Sequence, residues 1–203
     1  MEFLPIKVNN ENVYAGFWLR LGATLVDVLV LAPIGWAIYY LQSINFTLTI
    51  LFVIISSAFF AFYNIYFNKR FGGTLGKLAV NIRITKPNGH EIGWKEAWLR
   101  SSVDCALAVV LLILELIALS KVDQQAYLAV DFISRYELIL PLYPSGYKYY
   151  ELINDIWLWG ELIVLLLNER KRAIHDFIAG TIVIHKDFAE PVAAMGLANT
   201  PSV

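Results

Sequence analysis

The chain has 203 residues, 58% of them hydrophobic and 16% charged, with mean hydropathy +0.58. Soluble domains average about 25% charged residues, so this chain lacks the polar surface that a water-soluble fold needs. A net charge of −1 leaves no electrostatic footprint for nucleic acid, and a single cysteine, Cys105, excludes an intrachain disulfide.

In chain order, the first fifteen residues are polar and mixed, and the apolar run behind them is too long for the core of a cleavable signal. Leu21–Leu41 holds one charge, Asp27, and Thr47–Phe67 holds none. Ser101–Leu119 holds Asp104 and Glu115, and Tyr149–Leu167 holds Glu151, Asp155 and Glu161. About 20 apolar residues cross a ~30 Å hydrocarbon layer as a helix. The fold class read from this pattern is an all-α membrane protein: a four-helix transmembrane bundle with spans at about 17–41, 47–67, 101–119 and 149–167. The whole chain, 1–203, reads as a single membrane domain.

Between the second and third spans, Val80, Ile82 and Ile84 alternate with polar residues and Pro87-Asn88-Gly89 follows as a turn, the signature of a β-hairpin. Gly180–His185 reads as a third strand, so a small cytoplasmic hairpin or sheet is expected in segments 68–100 and 168–203. The insert 120–148 carries Asp131, Arg135 and Glu137, too many charges for a fifth span. It reads as an external amphipathic segment on the bilayer, with Tyr136, Tyr143 and Tyr147 at the interface.

Loops rich in Lys and Arg stay cytoplasmic. With four spans, every basic residue except Lys121, Arg135 and Lys148 falls on one side, which also holds both termini. The expected location is the inner cell membrane, multi-pass, with cytoplasmic ends. The stretches NKRFGGTLGKLAVNIRI (68–84) and NERKRAIHDFIAGTIVI (168–184) share residues at 68/168, 70/170, 79/179, 82/182 and 84/184, and Trp-Leu-Arg opens a span at 18–20 and again at 98–100. Duplication and convergent interface chemistry both account for these matches.

Each span carries a polar stripe. Seven residues turn a helix through nearly two full turns, placing Arg20 and Asp27 on one face about 10 Å apart. The second stripe includes Asn64, the third Arg100, Asp104 and Glu115, and the fourth Asn154 and Glu161. Arg100 and Asp104, at i and i+4, are spaced to pair within one helix. Asp27 lies too deep to reach the interface and needs a partner, a proton or a cation; a structural bond and a place on a transport path both satisfy that need. FGGTLGK lacks the spacing and the final hydroxyl of a phosphate loop. The three histidines show no zinc spacing, so neither metal nor cofactor is expected. No nucleophile–base pattern indicates an enzyme.

The stretch GFWLRLGATLVD resembles the first signature segment of the RDD (Arg-Asp-Asp) family of membrane proteins, with Arg20 and Asp27 as its first two residues and Asp176, in KRAIHDFIAGTIVI, as the third. GGTLGKLAVNIRITKPNGHEIGWKEAWLR is similar to that family's central segment. The resemblance covers roughly residues 14–104 and 150–186 and omits the insert. It implies a bacterial-type integral membrane protein of a kind suspected of transport, with sodium/proton exchange suggested for some members. Residue by residue it makes Arg20, Asp27 and Asp176 the positions to test. The leading expectation is a small transporter or proton-coupled cation exchanger, embedded in the bilayer, homo-oligomeric and handling protons or monovalent cations. The alternative is a non-transporting accessory or assembly protein that binds a partner through its cytoplasmic sheet or external insert. Asp176, which follows a basic cluster, is expected to bridge to Arg20 or Arg100.

Overall fold

The computed structural model describes residues 6–198; the first five residues and the end of the predicted cytoplasmic segment 168–203 lie outside them. The described chain opens with a hairpin inside the stretch that reads only as polar and mixed. β1 (Lys7–Val8) and β2 (Glu11–Asn12) pair antiparallel, with Val8 opposite Glu11. Asn9 and Asn10 turn the chain with φ of 50° and 67°, the pair of positive values that a type I′ turn requires and asparagine tolerates.

The helices follow the apolar runs, because a helix satisfies its own backbone hydrogen bonds where lipid offers none. They are α1 (Phe17–Gln42), α2 (Phe46–Phe71) and the short α3 (Leu75–Ala79), which leads into strand β3 (Ile82–Thr85). After α4 (Trp94–Leu119), the insert forms α5 (Gln124–Leu128) and α6 (Phe132–Ile139). The chain continues through α7 (Tyr147–Leu167), α8 (Ile174–Ala179), β4 (Ile182–His185) and α9 (Ala189–Ala198). Among the described residues, three stretches are long and apolar enough to cross a membrane: Phe17–Gln42, Phe46–Ala79 and Trp94–Leu119. α7 has the length, at 21 residues, but its three acids set it apart from those spans.

The predicted loop 68–100 is shorter than its pattern suggests. α2 continues through Lys69 and Arg70 to Phe71, and α4 starts at Trp94 rather than Ser101. The early start has a local cause: Gly93 N–H donates to the Glu96 carboxylate at 2.6 Å, capping the first turn. This leaves little chain for a second hairpin strand, and the expected hairpin shrinks to an isolated bridge between Thr85 and Glu91. β3 pairs instead with β4, antiparallel, with Ile82 opposite His185 and Thr85 opposite Ile182.

The chain divides into two compact units. One comprises Met1–Val30, Tyr63–Val103 and Leu158–Val203. Its sheet is extended on the far side of β4 by residues 13–15: Ala15 N–H donates to Val183 O at 2.9 Å and His185 N–H to Val13 O at 3.0 Å. Val8, Val13, Tyr14, Ile182, Ile184, Ala189 and Val192 form the core beside that edge. Of the alternation expected at 80–85, Ile82 and Ile84 are buried in β3, whereas Val80 is the half-buried C-cap of α3 and Thr85 is buried as well.

The other unit comprises Leu31–Phe62 and Asp104–Trp157, with a core of Val53, Ala118, Leu119, Tyr127 and Ile139. Here the insert is broken into two short helices rather than one amphipathic segment. Asp123 and Asp131 cap them by accepting from Ala126 N–H and from Ile133 and Ser134 N–H. Arg135, expected on a surface, is buried: its guanidinium lies 5.1 Å from the Tyr39 ring and 5.0 Å from the Tyr127 ring, and its Nε donates to Tyr127 O at 3.1 Å. A weakly hydrated planar cation stacks on aromatic faces where an ammonium would stay in water.

Gly89, in the turn after β3, has φ of 79°, and a Cβ there would stand 2.4 Å from Ala193 N of α9. Gly89→Ala therefore strains the turn by about 1–2 kcal/mol and pushes α9 away. It is expected to lower the thermal midpoint in detergent and to expose α9 to protease; an unchanged midpoint would contradict this packing.

Two hydrogen-bonded carboxylates as the candidate functional site

Asp27 lies on α1 and is read most simply from its acceptors outward. Oδ1 accepts from Tyr63 Oη of α2 at 2.8 Å and from the Gly76 backbone N–H of α3 at 2.7 Å. Oδ2 accepts from Thr74 Oγ1 at 2.5 Å. Tyr63 Oη in turn accepts from Leu75 N–H at 3.0 Å, so one carboxylate and one hydroxyl satisfy the first turn of α3. The glycines of GGTLGK make this approach feasible. A Cβ on Gly76 would fall 1.9 Å from Ala23 O, inside the α1 backbone, and Gly72 turns the chain out of α2 with φ of 75°. The segment that superficially resembles a phosphate loop is thus a docking loop for Asp27.

Asp176 lies on α8 and is fully buried. Oδ2 accepts from Arg20 Nη1 at 2.7 Å and from Ala173 N–H at 3.0 Å. Oδ1 pairs closely with Arg100 Nη1 and accepts from Thr181 Oγ1 at 3.3 Å. The ion pair expected with Arg20 or Arg100 therefore forms with both. Arg20 also donates to two backbone carbonyls, Nε to Ala15 O at 3.2 Å and Nη2 to Lys171 O. Arg100 Nη1 also donates to Thr181 Oγ1 at 2.8 Å. Gly180, left-handed at φ 66°, stops α8 and brings Thr181 back to this centre. Burial alone pushes the Asp176 carboxyl upward, but Arg100 and Arg20 outweigh it and hold the group well below the usual carboxylate range.

A third acid joins this centre. Glu161 of α7 accepts from the His175 backbone N–H at 2.7 Å through Oε1, and its Oε2 is 2.5 Å from His175 Nδ1. His175 Nε2 lies 2.7 Å from Arg100 Nη2. Lys77 of α3 stands within electrostatic reach of both Asp27 and Asp176.

The structure brings together Arg20, Asp27, Arg100, Glu161 and Asp176 within one compact unit. The intrahelical pair expected between Arg100 and Asp104 does not form. Arg100 is taken by Asp176, and Asp104 accepts from Trp157 Nε1 at 2.8 Å, because a guanidinium with a buried carboxylate at hand gains more than from a neighbour on its own helix. Asn64 is exposed on α2, and Asn154 is half-buried on α7. Glu115 is half-buried on α4, and among the described residues its carboxylate takes neither a hydrogen bond nor an ion pair. Tyr63, Thr74, Thr181 and His175 escaped the sequence reading. Only the adjacency of His175 to Asp176 and the glycines beside Thr74 hinted at them.

The RDD family model matches residues 14–180, a span that includes the insert. No curated protein and no solved structure matches the chain.

Removing one partner of a buried ion pair costs about 3–5 kcal/mol, and Asp176 and Arg20 share one network. Asp176→Ala and Arg20→Ala are each expected to destabilise by that order and to be strongly non-additive in a double-mutant cycle; additive effects would break the proposed unit. The depressed folded-state value of Asp176 sets the acid response. Its contribution is complete above the unfolded carboxylate value of about 3.9 and is lost only as pH falls below it, so the wild-type protein should keep this lock at pH 5 in a detergent unfolding series. Gly76→Ala should detach α3 and expose Tyr63, read as altered tyrosine absorbance with a lowered midpoint, whereas Gly22→Ala, open to its surroundings, should change neither.

Proposed function

The chain belongs to the RDD family, and from that premise we propose that it is a small membrane carrier that exchanges protons for monovalent cations. The observation that supports this reading is Glu115. It sits in the apolar second half of α4, half-buried, with no hydrogen-bond or ion-pair partner among the described residues. A charge inside an apolar span costs at least about 2.5–3.5 kcal/mol, and binding a proton or a small cation offsets that cost. Asp27 and Asp176 differ in kind, because each already has a fixed set of donors. In this reading they are framework, and Glu115 is the exchangeable group.

The proposal retains four spans, α7 being the fourth, with both termini in the cytoplasm of a cell whose inner membrane holds the protein. It also retains self-association, since four helices enclose little space. Saturation of Asp27 and Asp176 favours a second reading, an accessory protein that uses the rigid charged centre and the β3–β4 sheet to hold a partner.

Purified protein in liposomes separates the two. A pH gradient should drive uptake of sodium or potassium, and Glu115→Gln should abolish it while the thermal midpoint stays near that of the wild type. Flux that survives Glu115→Gln would remove Glu115 from the role. No flux with either cation would end the carrier reading and leave the accessory one.

A further inference from the structure

The donor and acceptor inventory around His175 admits one arrangement. A guanidinium only donates, so Nε2, 2.7 Å from Arg100 Nη2, must be the acceptor. The ring proton then resides on Nδ1 and points at Glu161 Oε2, 2.5 Å away. Glu161 accepts at both oxygens, the other taking the His175 backbone N–H at 2.7 Å. A continuous chain results: Glu161, neutral His175, Arg100, Asp176 and Arg20, tying α7, α8, α4 and α1.

The proton that turns His175 into an imidazolium binds the lone pair of Nε2, the one ring nitrogen without a hydrogen. Its arrival sets an N–H against the Arg100 N–H and two positive charges 2.7 Å apart, so their contact breaks. The imidazolium has an alternative close by, since Nε2 lies 3.8 Å from Asp176 Oδ1, the oxygen that Arg100 now holds. Asp176 keeps Arg20 through Oδ2 whichever partner takes Oδ1. The hydrogen bond from Arg100 Nη1 to Thr181 Oγ1 does not depend on Oδ1.

We propose that Nε2 of His175 is a proton-binding site whose occupation exchanges Arg100 for His175 at Asp176 and loosens α8 from α4. The step is a simple addition: the proton binds Nε2, the Arg100 hydrogen bonds to Nε2 and to Asp176 Oδ1 are lost, and an Nε2-to-Oδ1 hydrogen bond forms. The charged groups around the ring are Arg100 from α4, Glu161 from α7 and Asp176 from its own helix. Arg20 of α1 and Lys77 of α3 act on the same Asp176. Burial and the Arg100 charge hold His175 below the ordinary histidine value against the pull of Glu161 and Asp176. A histidine with a depressed folded-state value stabilises the fold in its neutral form. That contribution is complete above the unfolded value of about 6.5 and fades as pH falls below it. The site therefore responds to acidification and is silent at neutral and alkaline pH. It does not depend on whether anything is carried across the membrane.

The test reads the ring and the helix separately, without flux. In nitrogen-15 histidine-labelled protein in nanodiscs, His175, assigned through loss of its signal in His175→Gln, should show the Nδ1-protonated neutral tautomer at pH 7. It should gain a proton only below pH 6.5. A nitroxide on Ile178→Cys, exposed on α8, in a Cys105→Ala background should gain mobility with the same midpoint. Glu161→Gln, which removes a favourable negative charge, should move both midpoints to lower pH. An Nε2-protonated tautomer at pH 7, or a label whose mobility ignores the titration of His175, would overturn the proposal. If His175→Gln does not fold, a histidine to glutamine change at His90 and at His185 assigns the remaining signal by elimination, and the native titration still decides.

Discussion

Everything in the larger charged unit hangs on one buried carboxylate held by two arginines. Asp176 has no exposure, and the idealised cost of taking such an ion out of water is so large that a single partner rarely offsets it. Here two guanidinium groups, a backbone N–H and a hydroxyl converge on its two oxygens. Arg20 comes from the first turn of α1 and Arg100 from the second turn of α4. The carboxylate therefore ties together the opening turns of two long helices and, through Thr181, the approach to β4. Two cations on one anion would leave an excess charge, which Glu161, linked to Arg100 through His175, helps to balance.

Asp27 repeats the principle with neutral donors. A tyrosine, a threonine and a backbone N–H replace the arginines, and the bound element is α3 instead of a neighbouring helix start. The two sites sit in corresponding surroundings. Stretch 68–84 runs from a long helix through α3 and left-handed Asn81 into β3, and stretch 168–184 runs from a long helix through α8 and left-handed Gly180 into β4. β3 and β4 then pair antiparallel, the arrangement a local two-fold axis between equivalent strands produces. Five identities in seventeen residues thus accompany the same order of elements, which duplication and convergent interface chemistry both account for.

The long helices were legible because their cause is local: apolar runs of about the length of a bilayer crossing, each fulfilling its own backbone hydrogen bonds. β3 and β4 were legible as strands from the alternation of Ile82 and Ile84 and the run at 182–184. Their mutual pairing was hidden, because a sequence shows a turn at Pro87-Asn88-Gly89 and says nothing of a partner a hundred residues away. The β1–β2 hairpin was missed although Asn9-Asn10 carried its turn chemistry, since two-residue strands leave no periodicity to read.

For the charged centre, the sequence by itself determined which residues could not be left alone. An aspartate deep in an apolar run, an arginine at its start and a second aspartate beyond a basic cluster all require partners, because burial in low dielectric penalises an isolated charge. Which partner each would take was decided only by the tertiary structure. Helical spacing favoured Arg100 with Asp104, yet Arg100 belongs to Asp176 and Asp104 to Trp157. Spacing put Arg20 and Asp27 on one face, yet they serve different carboxylate sites. Periodicity fixes the face of a helix from a few neighbouring residues. Pairing depends on the distance and desolvation of groups brought together from remote parts of the chain, and no single stretch of sequence contains that information.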